Sequence, residues 1–410
     1  MKKIFTIVLL CSTTLAFAQT AMPRFAIPTA RSNGMGGTHV AYTDNVFSLL
    51  VNPAAIMRVE QRSFFALSPT LLNPETTFGL MEAVLDAAGG NMSALGSATN
   101  ILSEHKGKIA LGFDLREFPL SIAWVADGLG FGLWNRIFVN PNIIGTNIVL
   151  DAYADMILPV GFGYKILRTG THDVDVGITV KPFARALLNE RIKILDLMDE
   201  DYDISDALSI PMIMGVGFDL GLLYRWDIGL SAGLTLSDIV TRGGVVSDFL
   251  GNASGTYYVP FSLNWGVAYD FNFEQFGQNN SNFLSTLGFT VAFDWRDFTN
   301  VFQQNDYAKR NSALDIGVGL QFSMLDMIKI RLGMSECLPA FGFGVDIGPF
   351  ELDFAYYGKE LGLEPGQLPA AAIDLTFAVR PKAKKRDWPW AQRSLVGLIT
   401  GYEKEIPEED

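Results

Sequence analysis

The chain has 410 residues, 49% of them hydrophobic, and a formal net charge of −13. That acidic balance argues against a nucleic-acid partner. A mean hydropathy of +0.22 is high for an exported soluble protein. Residues 1–18 read as a secretory signal peptide: Lys2 and Lys3 form a basic start, residues 4–15 an apolar stretch, and Ala16-Phe17-Ala18 a small-residue cleavage site. The stretch is too short for a helical span, which needs about 20 apolar residues. Leu10 stands where a lipidation signal ending at Cys11 would carry a small residue. Cleavage removes both lysines, taking the charge from −13 to −15. It also leaves Cys337 as the mature chain's cysteine, so no intramolecular disulfide is expected.

Residues 31–57 come next and do not alternate. Gly34, Gly36 and Gly37 permit backbone conformations and close approaches that side chains would block. Asp44-Asn45 follows, then a short helix expected over about 45–51. Asn52-Pro53 is a turn starter, because Pro53 fixes its own φ and pushes Asn52 out of the helical region. Ala54 and Ala55 complete the turn ahead of a first strand at about Arg62. A compact unit before an alternating chain suggests a plug. A dinucleotide loop is the competing reading of the glycines, but it would follow a strand and open a long helix.

From there the chain alternates. Val174, Val176, Ile178 and Val180 are interleaved with Asp173, Asp175, Gly177, Thr179 and Lys181. Leu287, Phe289, Val291, Phe293 and Trp295 alternate with Gly288, Thr290, Ala292 and Asp294. Period two over about ten residues is a strand with one apolar face, long enough for a tilted bilayer crossing. Candidate strands fall at 61–72, 107–116, 118–126, 129–139, 151–166, 173–185, 211–225, 227–236, 257–273, 285–297, 312–324, 327–335, 340–347, 350–357 and 371–380. Bacterial single-chain barrels have even strand numbers. Joining 107–116 to 118–126 across Glu117-Phe118-Pro119, where proline suits a bulge, gives fourteen. The expected fold is therefore all-β, a transmembrane antiparallel barrel. A soluble β-sandwich also alternates, but its exterior would carry more Lys and Glu.

The partition expected is a signal peptide at 1–18, a periplasmic hatch at 19–60, the barrel at 61–380 and a periplasmic tail at 381–410. Connections at 73–106, 140–150, 186–210, 237–256, 298–311, 336–339 and 358–370 fall outside; outer connections are mostly long and inner turns mostly short, with the short 336–339 and the long inner turn 274–284 as exceptions. In the first of these, Phe78, Met81, Val84 and Leu85 recur at helical spacing. They form either a lid that collects a hydrophobic ligand or a helix packed on the rim. Asp199, Asp201 and Asp203 are spaced like a calcium loop, but Ile204 and Ile210 stand where that loop needs glycine and an acid. Lumen-phase cations at Lys108, Arg116, Lys181, Arg185 and Arg225 are candidates for a ligand carboxylate or for structural charges; Arg116 and Arg185 are the two preferred. Catalytic signals are weak. Gly229-Leu230-Ser231-Ala232-Gly233 matches a serine-hydrolase elbow but lies inside an alternating strand. His39, His105, His172 and Cys337 show no metal-ligand spacing. No cofactor, metal or enzymatic activity is expected.

The order of Gly34-Met35-Gly36-Gly37, Asp44-Asn45 and Asn52-Pro53-Ala54-Ala55 resembles the N-terminal hatch of FadL-type outer-membrane transporters, in style closest to divergent FadL-like proteins of spirochaetes. That hatch runs G-x-G-G/A, a D-D or D-N pair, then N-P-A-G; Ala55 here replaces the last glycine. The resemblance implies fourteen strands, an outer-membrane location, and passive uptake of long-chain fatty acids or other small hydrophobic molecules. It makes Gly34, Gly36, Gly37, Asp44, Asn45, Asn52, Pro53 and Ala54 hatch and gating candidates. Implied partners are the hydrophobic ligand, outer-membrane lipids and the barrel-assembly machinery, with the protein a monomer. The alternatives are a general porin and a surface binding or structural protein that transports nothing.

Overall fold

The computed structural model describes residues 19–25, 27–88, 108–119, 121–145, 147–193, 209–249, 251, 253–272, 286–301, 310–325, 327–384 and 394–396. The signal peptide, the aspartate-rich loop at 196–206, His105 and most of the tail lie outside them.

Fourteen antiparallel strands close into a barrel. They are β1 (Gln61–Ser63 and Phe65–Leu72), β2 (Lys108–Ala110, Gly112–Arg116 and Ile122–Ala126), β3 (Leu129–Ile144), β4 (Asn147–Ile157 and Val160–Arg168) and β5 (His172–Lys193). Next come β6 (Pro211–Trp226), β7 (Leu230–Ser237 and Thr241–Asp248), β8 (Thr256–Val259 and Ser262–Asn272), β9 (Leu287–Trp295) and β10 (Ile316–Met324). The wall ends with β11 (Ile328–Ser335), β12 (Leu338–Ile347), β13 (Phe350–Glu360) and β14 (Pro369–Val379), which pairs back onto β1. The segments on either side of Glu117-Phe118-Pro119 both pair with β3, so they form one strand as expected.

Several strands run beyond the alternating stretches. Residues 140–150, expected as a loop, are mostly ladder: Ile144 pairs with Asn147 across a tight turn. Pro141 reads as a breaker, yet it only removes one bond. Its carbonyl accepts from Leu111, and it has no N–H to return, so β2 is interrupted at Leu111 while β3 continues. Likewise β5 reaches Lys193, and Thr241–Asp248 extends β7 through part of the expected 237–256 loop.

The apolar phase points outward. Leu320, Phe322, Ile330, Leu332, Met334, Phe341, Phe343, Leu375 and Phe377 are all exposed, whereas the alternating Gln321, Arg331, Asp374 and Thr376 are buried. Register keeps the phases aligned from strand to strand: Leu320 faces Leu332 and Gln321 faces Arg331. A closed barrel has no unpaired edge, and an apolar outer band with a polar interior is how such a barrel is solvated by lipid. The protein is an outer-membrane β-barrel. Short turns at 127–128, 169–171, 227–229 and 348–349 mark the periplasmic end, where the connection from Asn272 to Leu287 is the long exception, and most of the long connections mark the outer end, where 145–146 and 336–337 are short. Among the described residues no helix is long and apolar enough to cross a membrane.

Candidate functional site

The N-terminal segment lies inside the barrel. Gln19–Ala21 adds a parallel strand to Thr256–Val259 at the outer end. Helix α1 (Ala30–Gly34) follows, opened by a capping box between Thr29 and Ser32. Helix α2 (Ser48–Val51) is shorter than the one expected over 45–51. A 3-10 turn, Pro53–Arg58, then leads into β1.

Wall glycines make room for this segment. A methyl group at Gly342 would meet the Cα of Gly34 at 3.0 Å, one at Gly163 the Met57 nitrogen at 3.1 Å, and one at Gly221 the Ala54 nitrogen at 2.7 Å. Gly177 lies against Pro53, Gly233 against Val40, and Gly317 and Gly333 against Gly36. Gly36 and Gly37 have φ of +66° and +77°, which other residues rarely adopt.

Polar ties complete the seat. Asn52 is fully buried; its Nδ2 donates to the Val40 and Leu222 carbonyls, at 2.9 and 3.3 Å, and its Oδ1 accepts from Ala54 N. The amides of His39 and Val40 donate to Asp294 at 2.6 and 2.9 Å, and Asn33 donates to Asp374 at 2.7 Å. Asn45 Oδ1 accepts from Phe47 N, turning the chain into α2.

Arg116 and Arg185 are both fully buried. Arg116 pairs with Asp374, donates to Thr70 and reaches the Pro28 carbonyl. Arg185 grips Asp155 through two bonds of 2.5 and 2.7 Å, donates to the Pro23 carbonyl and stacks on Phe25 at 4.1 Å. Each therefore clamps the N-terminal segment to the wall. Lys181 is held by Asp219 and Asp238 at 2.8 and 3.0 Å. Arg225 makes no ion pair or side-chain hydrogen bond among the described residues. Phe78 is exposed on α3 (Pro74–Ala88), the helix expected in the first long connection. The side chains of Met81, Val84, Leu85 and Lys108 lie outside the described ones.

Two cavities flank the segment. The outer one, of 590 Å³, is bounded by Phe25, Ile27, Phe47, Leu50 and Val51 on the segment and by Arg136, Tyr153, Arg296, Tyr357 and Lys359 on the wall. The inner one, of 330 Å³, lies at the periplasmic end between Ala41, Tyr42, Asp44, Arg225, Ser231, Asp270, Thr290 and Ser323. Tyr42 borders both.

Beside it, Arg31 from the outer cavity grips Asp44 of the inner one at 2.5 and 2.9 Å, and its guanidinium lies 4.9 Å from the Tyr42 ring centre. Burial works to raise the Asp44 pKa, but Arg31, with smaller help from Lys329 and Arg225, holds it below the ordinary carboxylate value. Sequence reading singled out Asp44 but neither partner. Arg31 lies 13 residues away, a separation with no periodic meaning, and Tyr42 sits in irregular chain.

No known protein-family model matches the chain, and no curated protein matches its sequence. In fold it is similar to the toluene transporter TodX of P. putida, with a TM-score of 0.46 and 12% identity over 87% of this chain and 99% of that one. It is also similar to the monoaromatic hydrocarbon channel CymD, at 0.43 and 12% over 91% and 100%. A FadL homologue from Pseudomonas aeruginosa gives 0.41 and 8% over 88% and 99%.

Proposed function

We propose that the protein is a passive outer-membrane transporter for small hydrophobic molecules, long-chain fatty acids among them, with residues 19–60 as its hatch. The observation that carries this reading is the divided lumen: two cavities separated by a segment seated on wall glycines and bordered in common by Tyr42. A fourteen-stranded barrel is wider than side chains alone can fill, so a closed one needs an internal plug. The general-porin alternative needs an open aqueous lumen, which a seated segment opposes.

The outer cavity falls within the size range of small-molecule sites. Its apolar residues favour a hydrocarbon at about 25 cal/mol per Å² buried. Arg296 and Lys359 at its wall suit an amphipathic molecule's polar end. The exposed Phe78 of α3 offers a landing surface near the mouth. No covalent step is required.

The test is deletion of residues 31–57. The deleted barrel, checked for heat-modifiable migration, is expected to admit sugars in liposome swelling. In a host lacking its own transporter, it should lose selective uptake of hydrophobic solutes. A deleted form that folds and stays closed would refute the hatch. A parent that never restores uptake of any hydrophobic solute would favour the binding or structural alternative.

A further inference from the structure

The hatch is not tied down evenly. Residues up to Val40 are fixed by the Arg185, Arg116 and Asp374 contacts and by Asp294, and Asn52 fixes the chain again on β6. Between these anchors, residues 41–45 have no regular structure. Their described side-chain hydrogen bond to the wall is one of 2.9 Å, from Gln321 Nε2 to the Tyr42 hydroxyl, beside a small apolar contact of Ala41 and Tyr42 with Ala268 and Ala292. Asp44 is tied to Arg31, which belongs to the hatch itself.

Its side chain is 50% exposed, whereas that of Arg31 is 13% exposed. The carboxylate is therefore the partner that reaches into the inner cavity. Arg225 borders that cavity without an ion pair among the described residues. Asp270 on the same wall already accepts from Thr290 at 2.6 Å.

We infer that residues 41–45 are the moving gate, and that Arg225 is the residue that receives Asp44 when the gate opens. The Arg31–Asp44 pair closes the path by drawing the loop towards the outer cavity beneath Tyr42. Exchange of Asp44 onto Arg225 carries Tyr42 aside and joins the two cavities. The carboxylate is paired at both ends of the movement, and the guanidinium it leaves borders one of the two cavities rather than a packed core. This inference rests on the hatch reading and narrows the moving part to five residues.

The experiment measures single-channel current in planar bilayers and hydrophobic-solute uptake for the full chain. Arg31→Gln, which removes the charge-assisted bonds of the closed state alone, is expected to raise open probability about tenfold, whereas Asp44→Asn, which removes the bonds of both states, should change it less than either arginine variant. Arg225→Gln is expected to lower open probability and uptake instead, because the open state loses its partner. Adding Arg225→Gln to Asp44→Asn should change nothing further, since no carboxylate remains to be received. Heat-modifiable migration verifies folding of every variant.

The gate is overturned if Arg225→Gln raises the current or leaves uptake at the parent level. It is also overturned if its effect persists undiminished beside Asp44→Asn. Deletion of residues 31–57 separates this failure from that of the hatch. A leaking deletion with inert point variants would mean that the plug stands and the gate lies elsewhere.

Discussion

A single methyl group at Gly177 should unseat the hatch while leaving the barrel intact. Gly177 is on β5, where the Pro53 carbonyl rests against its Cα. An added Cβ would overlap that carbonyl and sit 2.6 Å from the Ala54 nitrogen. Both neighbours are backbone, so no rotamer change relieves the overlap, and the Asn52-Pro53-Ala54 turn must lift. Overpacking typically costs about 1–3 kcal/mol, and a backbone clash belongs at the upper end. About 3 kcal/mol shifts the seated-to-unseated ratio roughly a hundredfold.

Lifting the turn would also strip Asn52 of its bonds to Val40 and Leu222. The expected result for Gly177→Ala is a heat-modifiable barrel that leaks sugars in liposome swelling. Gly244→Ala is the control, because its Cβ meets nothing within 4 Å. A Gly177→Ala protein as tight as Gly244→Ala would refute the seating of the turn on β5.

Two further outcomes check the facing and the lumen electrostatics. Val291→Arg, on the lipid phase near mid-strand, should cost about 2–4 kcal/mol in folding titrations into bilayers. Thr290→Arg, beside Asp270 in the inner cavity, should be tolerated better, and equal losses would reverse the assigned faces. For His39, burial first and the Arg296 charge second lower the pKa to about 4, against a hydrogen bond to Gly37 that works to raise it. An unseated His39 takes its proton below about pH 6.5, while a seated one resists until about 4. Seating is therefore full above 6.5 and weakens by no more than about 3 kcal/mol as pH falls to 4. Leak should rise over that window and flatten in His39→Gln; a parent current constant from pH 7 to 4.5 would refute it.

The wall was legible in sequence because strand alternation and lipid contact impose the same period. Val291 and Thr290 could be assigned to opposite faces without knowing what they touch. The strand extensions were not legible. Asn140-Pro141-Asn142 carries turn residues, and only the neighbouring strand shows that Pro141 loses a single bond. Thr241–Asp248 has Gly243 and Gly244 where a strand signal would need side chains; Gly243 is there because Ile213 and Phe183 crowd it. In the hatch, Gly34, Gly36, Asn52 and Pro53 stood out by residue type. Helix α1 had a signal that could have been read, the Thr29-x-x-Ser32 cap ahead of Asn33 and Gly34. The Arg31–Asp44 pair had none, since it depends on how the loop folds back.

The placement of charge explains why a small gate is more economical than expulsion of the whole hatch. Arg116 and Arg185 are fully buried and donate to the carbonyls of Pro28 and Pro23 while paired with Asp374 and Asp155. Withdrawing residues 23–40 would strip these arginines of their carbonyl partners. It would also take Asn33 from Asp374 and two amides from Asp294. Each buried charge left short of partners costs roughly 1–3 kcal/mol or more, so full withdrawal accumulates several such losses together. The proposed movement of residues 41–45 would break the Gln321–Tyr42 bond, lift Ala41 and Tyr42 from Ala268 and Ala292, and pass one carboxylate between two guanidinium groups. An opening of that size is narrow. It fits passage of one slender molecule along the Tyr42 side of the lumen, with the rest of the hatch still seated on its glycines.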